Sequence, residues 1–364
     1  MKKVAIDARY LRESTGRYVE RLLHYLQQID TKHKYLVLLK PKDMDSWEPT
    51  NKNFEKVACP HKEFTFKEQV GFKKQLQNLK PDLVHFTMVQ QPIFYRSKVV
   101  TTMNDLTTVR FRNPSKNWLI FTIKRSVYKI VNKIAARKSA ALLTYTKFVK
   151  DDVARFARTN SRKITVTYLA ADKIEEEPEL VEGLEDSQFI MYIGRPLPHK
   201  NLGRLIEAFA LLKQSHPKLK LVLAGKKDML YRRHAADVKT KGIPDVIFTG
   251  FVSEGQLRWL YENTTAYIFP SLSEGFGLPG LEAMVAGAPV VSSNATCLPE
   301  VYGEAVVYFD PLDVEDMAAK IASVIDSKAK ADGLREKGKK QAAKYSWKRM
   351  AEQTLEVYKE VLGE

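Results

Sequence analysis

Cysteine is scarce in this chain: Cys59 and Cys297 stand far apart, and there are no others. That excludes a disulfide framework and any cysteine-based metal-ligand spacing, and it fits a reducing, cytoplasmic setting. Long apolar runs are missing too, so no stretch reads as a membrane span. The opening Met1-Lys2-Lys3-Val4-Ala5-Ile6-Asp7 meets a charge too soon for the apolar core of a secretory leader. Internal repeats and low-complexity segments are absent. The most pointed absence is of acid: from Leu106 to Lys150 there is no Asp or Glu against eleven Lys or Arg.

Basic charge therefore gathers in one half. Residues 1–172 hold 34 Lys and Arg against 15 Asp and Glu, a net +19, whereas 173–364 hold 25 against 28, a net −3. Such asymmetry points the first half toward an anionic partner: a membrane surface, a nucleic acid or an acidic substrate. No recognised nucleic-acid-binding motif accompanies the charge. Nucleic acid is thus not an expected partner, and a basic nucleic-acid-binding protein stands as the alternative from a different class.

Two domains suit the 364 residues. Val4–Ile6, Tyr35–Leu39, Leu83–Phe86 and Val99–Thr101 read as buried strands alternating with helical stripes. A second alternation follows at Phe189–Ile193, Leu219–Leu223, Val246–Thr249, Ala266–Phe269, Ala288–Val291 and Val306–Phe309. This pattern predicts two doubly wound parallel sheets. The expected division is a first domain over 1–172, an acidic strandless linker over 173–186, and a second domain over 187–346. Asp43-Met44-Asp45 lies among Lys40, Pro41, Lys42 and Pro49 and reads as a solvated turn rather than a metal site. In the stretch 118–138, Arg125, Lys129, Lys133 and Arg137 fall on one helical face and Ile123, Val127, Ile130 and Ile134 on another, with Trp118 and Phe121 near the start. That is a basic amphipathic helix, expected to meet an anionic membrane surface. The alternative is an ordinary core-facing helix with a solvated charged face.

The richest stretch is Ser271-Leu272-Ser273-Glu274-Gly275-Phe276-Gly277-Leu278-Pro279-Gly280-Leu281-Glu282. It reads as strand, glycine-rich loop and short helix, with Pro279 opening the helix and Gly287 and Pro289 closing it. Backbone N–H groups of Gly275, Phe276, Gly277 and Leu278 and the positive end of the helix then suit a diphosphate. Glu274 and Glu282 bracket that anion site, Glu282 leaning back toward the loop. Gly275-x-Gly277-x-x-Gly280 also satisfies the dinucleotide fingerprint, which wants an acidic residue at the end of the next strand roughly 20 positions on. Here that strand runs into Ser293 and Asn294, and Glu300 follows Pro299 outside it. A nucleotide sugar fits better. Arg195 and Lys200, between a strand and a helix, can neutralise the charge on a departing nucleoside diphosphate. The strand ends at Gly194, Gly225, Gly250 and Gly275 are expected to open onto one crevice.

Glu274 and Glu282 around Gly-Phe-Gly-Leu-Pro-Gly-Leu resemble the signature of family 4 of the retaining, nucleotide-sugar-dependent glycosyltransferases. The resemblance spans nearly the whole chain, with its specific motifs in residues 189–310. It implies the GT-B fold, two Rossmann-like domains facing across a cleft, with the last helix (347–364) crossing back to the first. It implies metal-independent transfer without a cofactor: Arg195 and Lys200 on the donor diphosphate, Glu274 beside the donor sugar, Glu282 on the ribose. The family often has His-Asp-Leu where this chain has Asn104-Asp105-Leu106, and an amide cannot act as acid or base near neutral pH. Gly16 matches a glycine of a first-domain loop that closes over the diphosphate, although here the loop holds a single glycine. His85 fits either a core histidine or an acceptor contact. The motif region looks most like mannosyltransferase members, so the expected donor is GDP-mannose and the acceptor a lipid-linked or polysaccharide glycan. A UDP-sugar enzyme with a soluble small-molecule acceptor is the runner-up. The expected location is cytoplasmic, with peripheral attachment to the inner face of the membrane.

Overall fold

The computed structural model describes residues 1–13, 15–111 and 118–364, with 118–121 and 123 described by backbone alone. It divides into two compact units. The first comprises Met1–Val109, Thr122–Leu169 and Ser346–Glu364, and the second Arg110–Phe121 and Ala170–Tyr345.

In the first unit the strands are β1 (Lys3–Asp7), β2 (Lys34–Leu39), β3 (Phe54–Ala58), β4 (Leu83–Phe86), β5 (Val99–Thr102), β6 (Ala141–Thr144) and β7 (Ile164–Val166). They form one sheet in the order β3-β2-β1-β4-β5-β6-β7, parallel at every pairing. β1, β4 and β5 are buried along almost their whole length, which is why they read as unbroken apolar runs. The last helix, Trp347–Leu362, belongs to this unit. Its Tyr358 hydroxyl lies 2.5 Å from Nδ1 of His85. Nε2 of the same ring lies 2.8 Å from Thr102 Oγ1, which in turn meets the Tyr18 hydroxyl at 2.9 Å. Full burial pushes the His85 imidazole down to about 3. His85 is a neutral core histidine tying the helix to the sheet, not an exposed acceptor contact.

The second unit holds β8 (Phe189–Ile193), β9 (Lys220–Ala224), β10 (Val246–Gly250), β11 (Ala266–Phe269), β12 (Val290–Ser293) and β13 (Val306–Phe309). Their order is β10-β9-β8-β11-β12-β13, again parallel throughout. Strand order reverses between β8 and β11, and ligands of such sheets bind beyond the carboxyl ends at that switch point. The two loops singled out by sequence, 194–201 and 270–277, follow these two strands.

In the strandless stretch 173–186, Glu179 donates its N–H to Gly255 O at 3.1 Å and accepts from Ser253 Oγ at 2.7 Å, so it lies on the helix Glu254–Asn263. One expectation needs correction. The helix Trp118–Lys138 is turned from its expected orientation. Its buried residues, among those described, are Asn132, Ala135 and Ala136, while Val127 and Ile130 are exposed. Three of its basic residues contact the protein: Arg125 Nε donates to Val109 O at 2.6 Å, Arg137 Nε to Ala157 O at 2.7 Å, and Lys133 lies over the Phe156 ring. Trp118, Phe121 and Ile123 lie outside the described side chains. No helix among the described residues is long and apolar enough to cross a membrane.

Candidate functional site

The site is built on β8 and its neighbours. Gly194 and Gly225 have φ of +141° and +153°, conformations that side chains rarely adopt. A Cβ on Gly225 would stand 2.5 Å from the Gly194 carbonyl oxygen, so the two glycines let adjacent strand ends close together. Gly194 N–H donates to Ala224 O at 3.0 Å and Gly225 N–H to Gly250 O at 2.9 Å.

Beyond Gly194 the two cations part. Arg195 turns to Asp228, Nε to Oδ2 at 2.8 Å. Asp228 also caps the helix Met229–Thr240, accepting from the N–H groups of Leu230 and Tyr231. Burial works to raise the Asp228 carboxyl, but the Arg195 hydrogen bond and the two helical N–H groups outweigh it and hold the group below its ordinary value. Lys200 ends the short turn Pro198–Lys200, and its ammonium lies 2.6 Å from Glu274 Oε1. Both side chains are largely shielded, 19% and 12% exposed, and the ammonium sits 5.5 Å from the centre of the Phe269 ring. Between them His199 accepts the Leu272 N–H on its carbonyl at 2.7 Å, which ties the β8 loop to the β11 loop. Its imidazole is pushed down to about 4, by burial first and then by Lys200, against the pull of Glu274. The structure thus brings Lys200 and Glu274 together and holds Arg195 on Asp228 instead.

Glu274 is anchored by two residues that sequence reading overlooked. Its N–H donates to Thr296 Oγ1 at 3.1 Å, and its carbonyl accepts from Cys297 Sγ at 3.3 Å. Burial, then the nearby Glu274 charge, raises the Cys297 thiol well above its ordinary value, so it stays protonated and serves as a donor. Further along, Gly277 has φ +89° at the start of the helix Leu278–Val285. Added Cβ atoms would lie 2.5 Å from the Tyr302 hydroxyl at Gly277 and 2.3 Å from it at Gly280. Part of the glycine spacing therefore makes room for a buried tyrosine rather than for a ligand. Phe276 is buried against the Tyr345 ring at 5.6 Å. Gly275 is buried, and Leu278 and Glu282 are half-buried.

The first-unit candidates stand apart from these residues in the sequence. Gly16 opens the helix Gly16–Ile29, and a Cβ there would be 2.1 Å from the Leu11 carbonyl oxygen. Asn104 follows β5; its Nδ2 lies 2.9 Å from Met88 Sδ, and its Oδ1 is buried with no hydrogen-bond partner. Asp43 and Asp45 sit in the turn Pro41–Ser46, half-buried and exposed respectively.

Residues 173–341, which lie in the second unit, match the family of glycosyl transferases group 1. Over 233 residues the chain is 33% identical to the O-antigen chain mannosyltransferase B of Escherichia coli, covering 60% of each protein. Over 237 residues it is 33% identical to the serotype-specific mannosyltransferase WbdA of Escherichia coli, covering 63% of this chain and 28% of the other. The match spans less than two thirds of the length of either relative. Among solved structures, the sucrose-phosphate synthase of Thermosynechococcus elongatus superposes with a TM-score of 0.80 over the whole of both chains at 17% identity. That likeness shows the fold: two parallel-sheet α/β domains of the GT-B kind.

Proposed function

We propose that this chain is a retaining glycosyltransferase of family 4 that moves mannose from GDP-mannose to a lipid-linked or polysaccharide acceptor. The observation that carries the reading is the shielded Lys200–Glu274 pair at the switch point of the second sheet. An ammonium and a carboxylate at 2.6 Å neutralise each other until a ligand separates them. A nucleoside diphosphate sugar offers the matching partners: its diphosphate draws Lys200, and its hydroxyls receive Glu274.

In this reading Arg195, Lys200 and the N–H groups of Gly275 to Leu278 hold the diphosphate as negative charge builds on it. These fixed cations do the neutralising, so transfer is metal-independent. The bond from the anomeric carbon to the diphosphate oxygen breaks, and the acceptor oxygen bonds to that carbon from the same face. The acceptor proton passes to the departing diphosphate oxygen. No protein base takes part, which suits the amide at Asn104. The mannosyltransferase names of the curated relatives support the sugar, and the motif resemblance supports retention.

A thermal-shift panel of GDP, UDP and ADP tests the donor. The expected outcome is a shift with GDP that exceeds the other two; a preferential shift with UDP overturns the mannose assignment. Turnover of GDP-mannose is expected to survive EDTA and to fall about 100-fold or more in Glu274→Gln, the scale of losing one preorganised contact. Wild-type turnover in that variant refutes the role given to Glu274.

A further inference from the structure

The loop after β11 is held from one side by side chains from the end of β12 and the segment that follows it. Ser293 Oγ donates to Ser271 O at 2.7 Å, Cys297 Sγ to Glu274 O at 3.3 Å, and the Tyr302 hydroxyl to Gly277 O at 2.5 Å. Carbonyls at three-residue intervals are thus turned to the same segment. The peptide bonds of the described residues are trans, and in a trans peptide the N–H points opposite to the C=O. The first of the three shows the sense of this: Ser271 O faces Ser293, and the Leu272 N–H of the same peptide meets His199 O at 2.7 Å. The same relation turns the N–H groups of Gly275 and Leu278 away from the clamping segment. Leu278 opens the helix Leu278–Val285, so its N–H also lies at the positive end of that helix.

Of the three clamps, Tyr302 is the hardest for the chain to accommodate. It is wholly buried, and its ring packs edge-on against Phe269 at 6.3 Å, the ring beside which the Lys200 ammonium sits. The short helix that carries it, Leu298–Tyr302, is itself pinned, since Val301 O accepts from Gln341 Nε2 at 2.7 Å and from the Tyr345 hydroxyl at 2.8 Å. Burial first, and then the nearby Glu274 charge, pushes the Tyr302 phenol well up, so the hydroxyl keeps its proton and acts as a donor. A Cβ at Gly280 would clash with that hydroxyl, so the helix carries glycine where alanine is the better helix former. Phenylalanine would fill the same space without burying a polar group. Nor does Gly277 O need the tyrosine as a partner, because it also accepts the Gly280 N–H at 3.2 Å. Stability alone therefore does not account for the hydroxyl, and an element that breaks a local rule in this way is expected to serve a site.

We infer that Tyr302 is a positioning residue for the donor diphosphate: its hydroxyl fixes the plane of the Gly277–Leu278 peptide so that the Leu278 N–H faces the phosphate. Tyr302 acts through that peptide and not by touching the donor. Cys297 holds the Glu274–Gly275 peptide in the same way. Donors whose direction is set before the ligand arrives need no reorganisation as negative charge builds on the leaving group. A peptide released from the hydroxyl would instead divide its time among orientations, and the phosphate would meet a weaker donor. The inference rests on the donor site proposed above and names the group that sets its backbone geometry.

The experiment is calorimetric titration of GDP and UDP, and of guanosine and uridine, into the full chain and into Tyr302→Phe, which keeps the ring and removes only the hydroxyl. The variant is expected to bind the diphosphate about tenfold more weakly, the scale of one charge-assisted hydrogen bond. Its affinity for the nucleoside and its melting temperature should match the parent. In the parent, the Leu278 amide resonance should move on addition of the diphosphate, and it should move less in the variant. Equal diphosphate affinity in the two proteins, or an unmoved Leu278 resonance, overturns the inference. So does an equal loss for diphosphate and nucleoside, or a marked fall in melting temperature, because either would make Tyr302 a purely structural residue. In each of these events diphosphate binding by the parent leaves the proposed function standing, whereas a parent that binds neither GDP nor UDP overturns both.

Discussion

At the scale of single residues, the candidate side chains stand out in local motifs and the groups that hold them do not. Glu274 and Lys200 announce themselves because each sits in a short motif between a strand and a helix. Asp228, Thr296 and Cys297 act only through contacts made by folding, and no local spacing signals them. Asp228 fixes Arg195 at 2.8 Å while capping a helix, so Asp228→Ala should loosen Arg195 and remove a cap, the latter costing about 1 kcal/mol. The expected readout is weaker donor binding with a modest fall in stability; an unchanged donor affinity would place Arg195 outside the site. At Gly280 two effects oppose each other. Alanine gains about 1 kcal/mol of helix propensity, but its Cβ would meet the Tyr302 hydroxyl at 2.3 Å, and such overpacking costs about 1–3 kcal/mol. Steric cost wins, so urea unfolding of Gly280→Ala should show a net loss. The depressed imidazoles set a pH dependence. His85, near 3 when folded, and His199, near 4, both take up protons more readily in the unfolded chain, whose imidazoles titrate near 6.5. Their contribution is therefore fully present above about pH 6.5 and is lost as pH falls toward the folded values. His85→Gln should flatten the decline in urea midpoint between about pH 7 and about pH 5, and an equal decline in both proteins would contradict the assignment.

At the scale of elements, buried parallel strands were read correctly, as were β10 and β13 at the edges of the second sheet, whereas the edge strands of the first sheet were not. β1, β4, β8 and β11 are enclosed on both faces and show as apolar runs. β3 (Phe-Glu-Lys-Val-Ala) and β7 (Ile-Thr-Val) lie at the two edges of their sheet, half exposed and polar, and β6 is four residues directly after a long helix. Nothing in so short a run separates it from the helix before it. The face of the helix Trp118–Lys138 was misjudged for a related reason. Periodicity rewards large apolar residues, whereas this helix buries the small Ala135 and Ala136 in a cluster with Met103 and Leu142, leaving Val127 and Ile130 outside. The last helix gives the test at this scale. Tyr358→Phe removes the partner of His85 Nδ1 in a fully buried setting, and an unsatisfied buried group costs about 1–3 kcal/mol. A stability loss of that size, with donor affinity intact, is the expected outcome of chemical denaturation; a neutral substitution would mean that the helix is held by apolar packing alone.

At the scale of the whole molecule, the two-sheet organisation followed from the double alternation of strands and helices, and the charge difference between the halves was visible in composition alone. Ser346–Glu364 joins the first unit and 170–186 the second, through nonlocal contacts such as Tyr358 on His85 and Glu179 on Gly255. The second unit matches the glycosyl transferases group 1 model and holds Lys200 and Glu274 at its switch point, so the donor should bind there. Calorimetric titration of GDP-mannose into the parent chain and into Lys200→Met tests that claim most directly. The account expects one donor per chain in the parent and affinity at least about tenfold weaker in the variant, the scale of losing one charge-assisted contact to a phosphate. Equal affinity in the two proteins, or no binding by the parent to any nucleotide sugar, would contradict it.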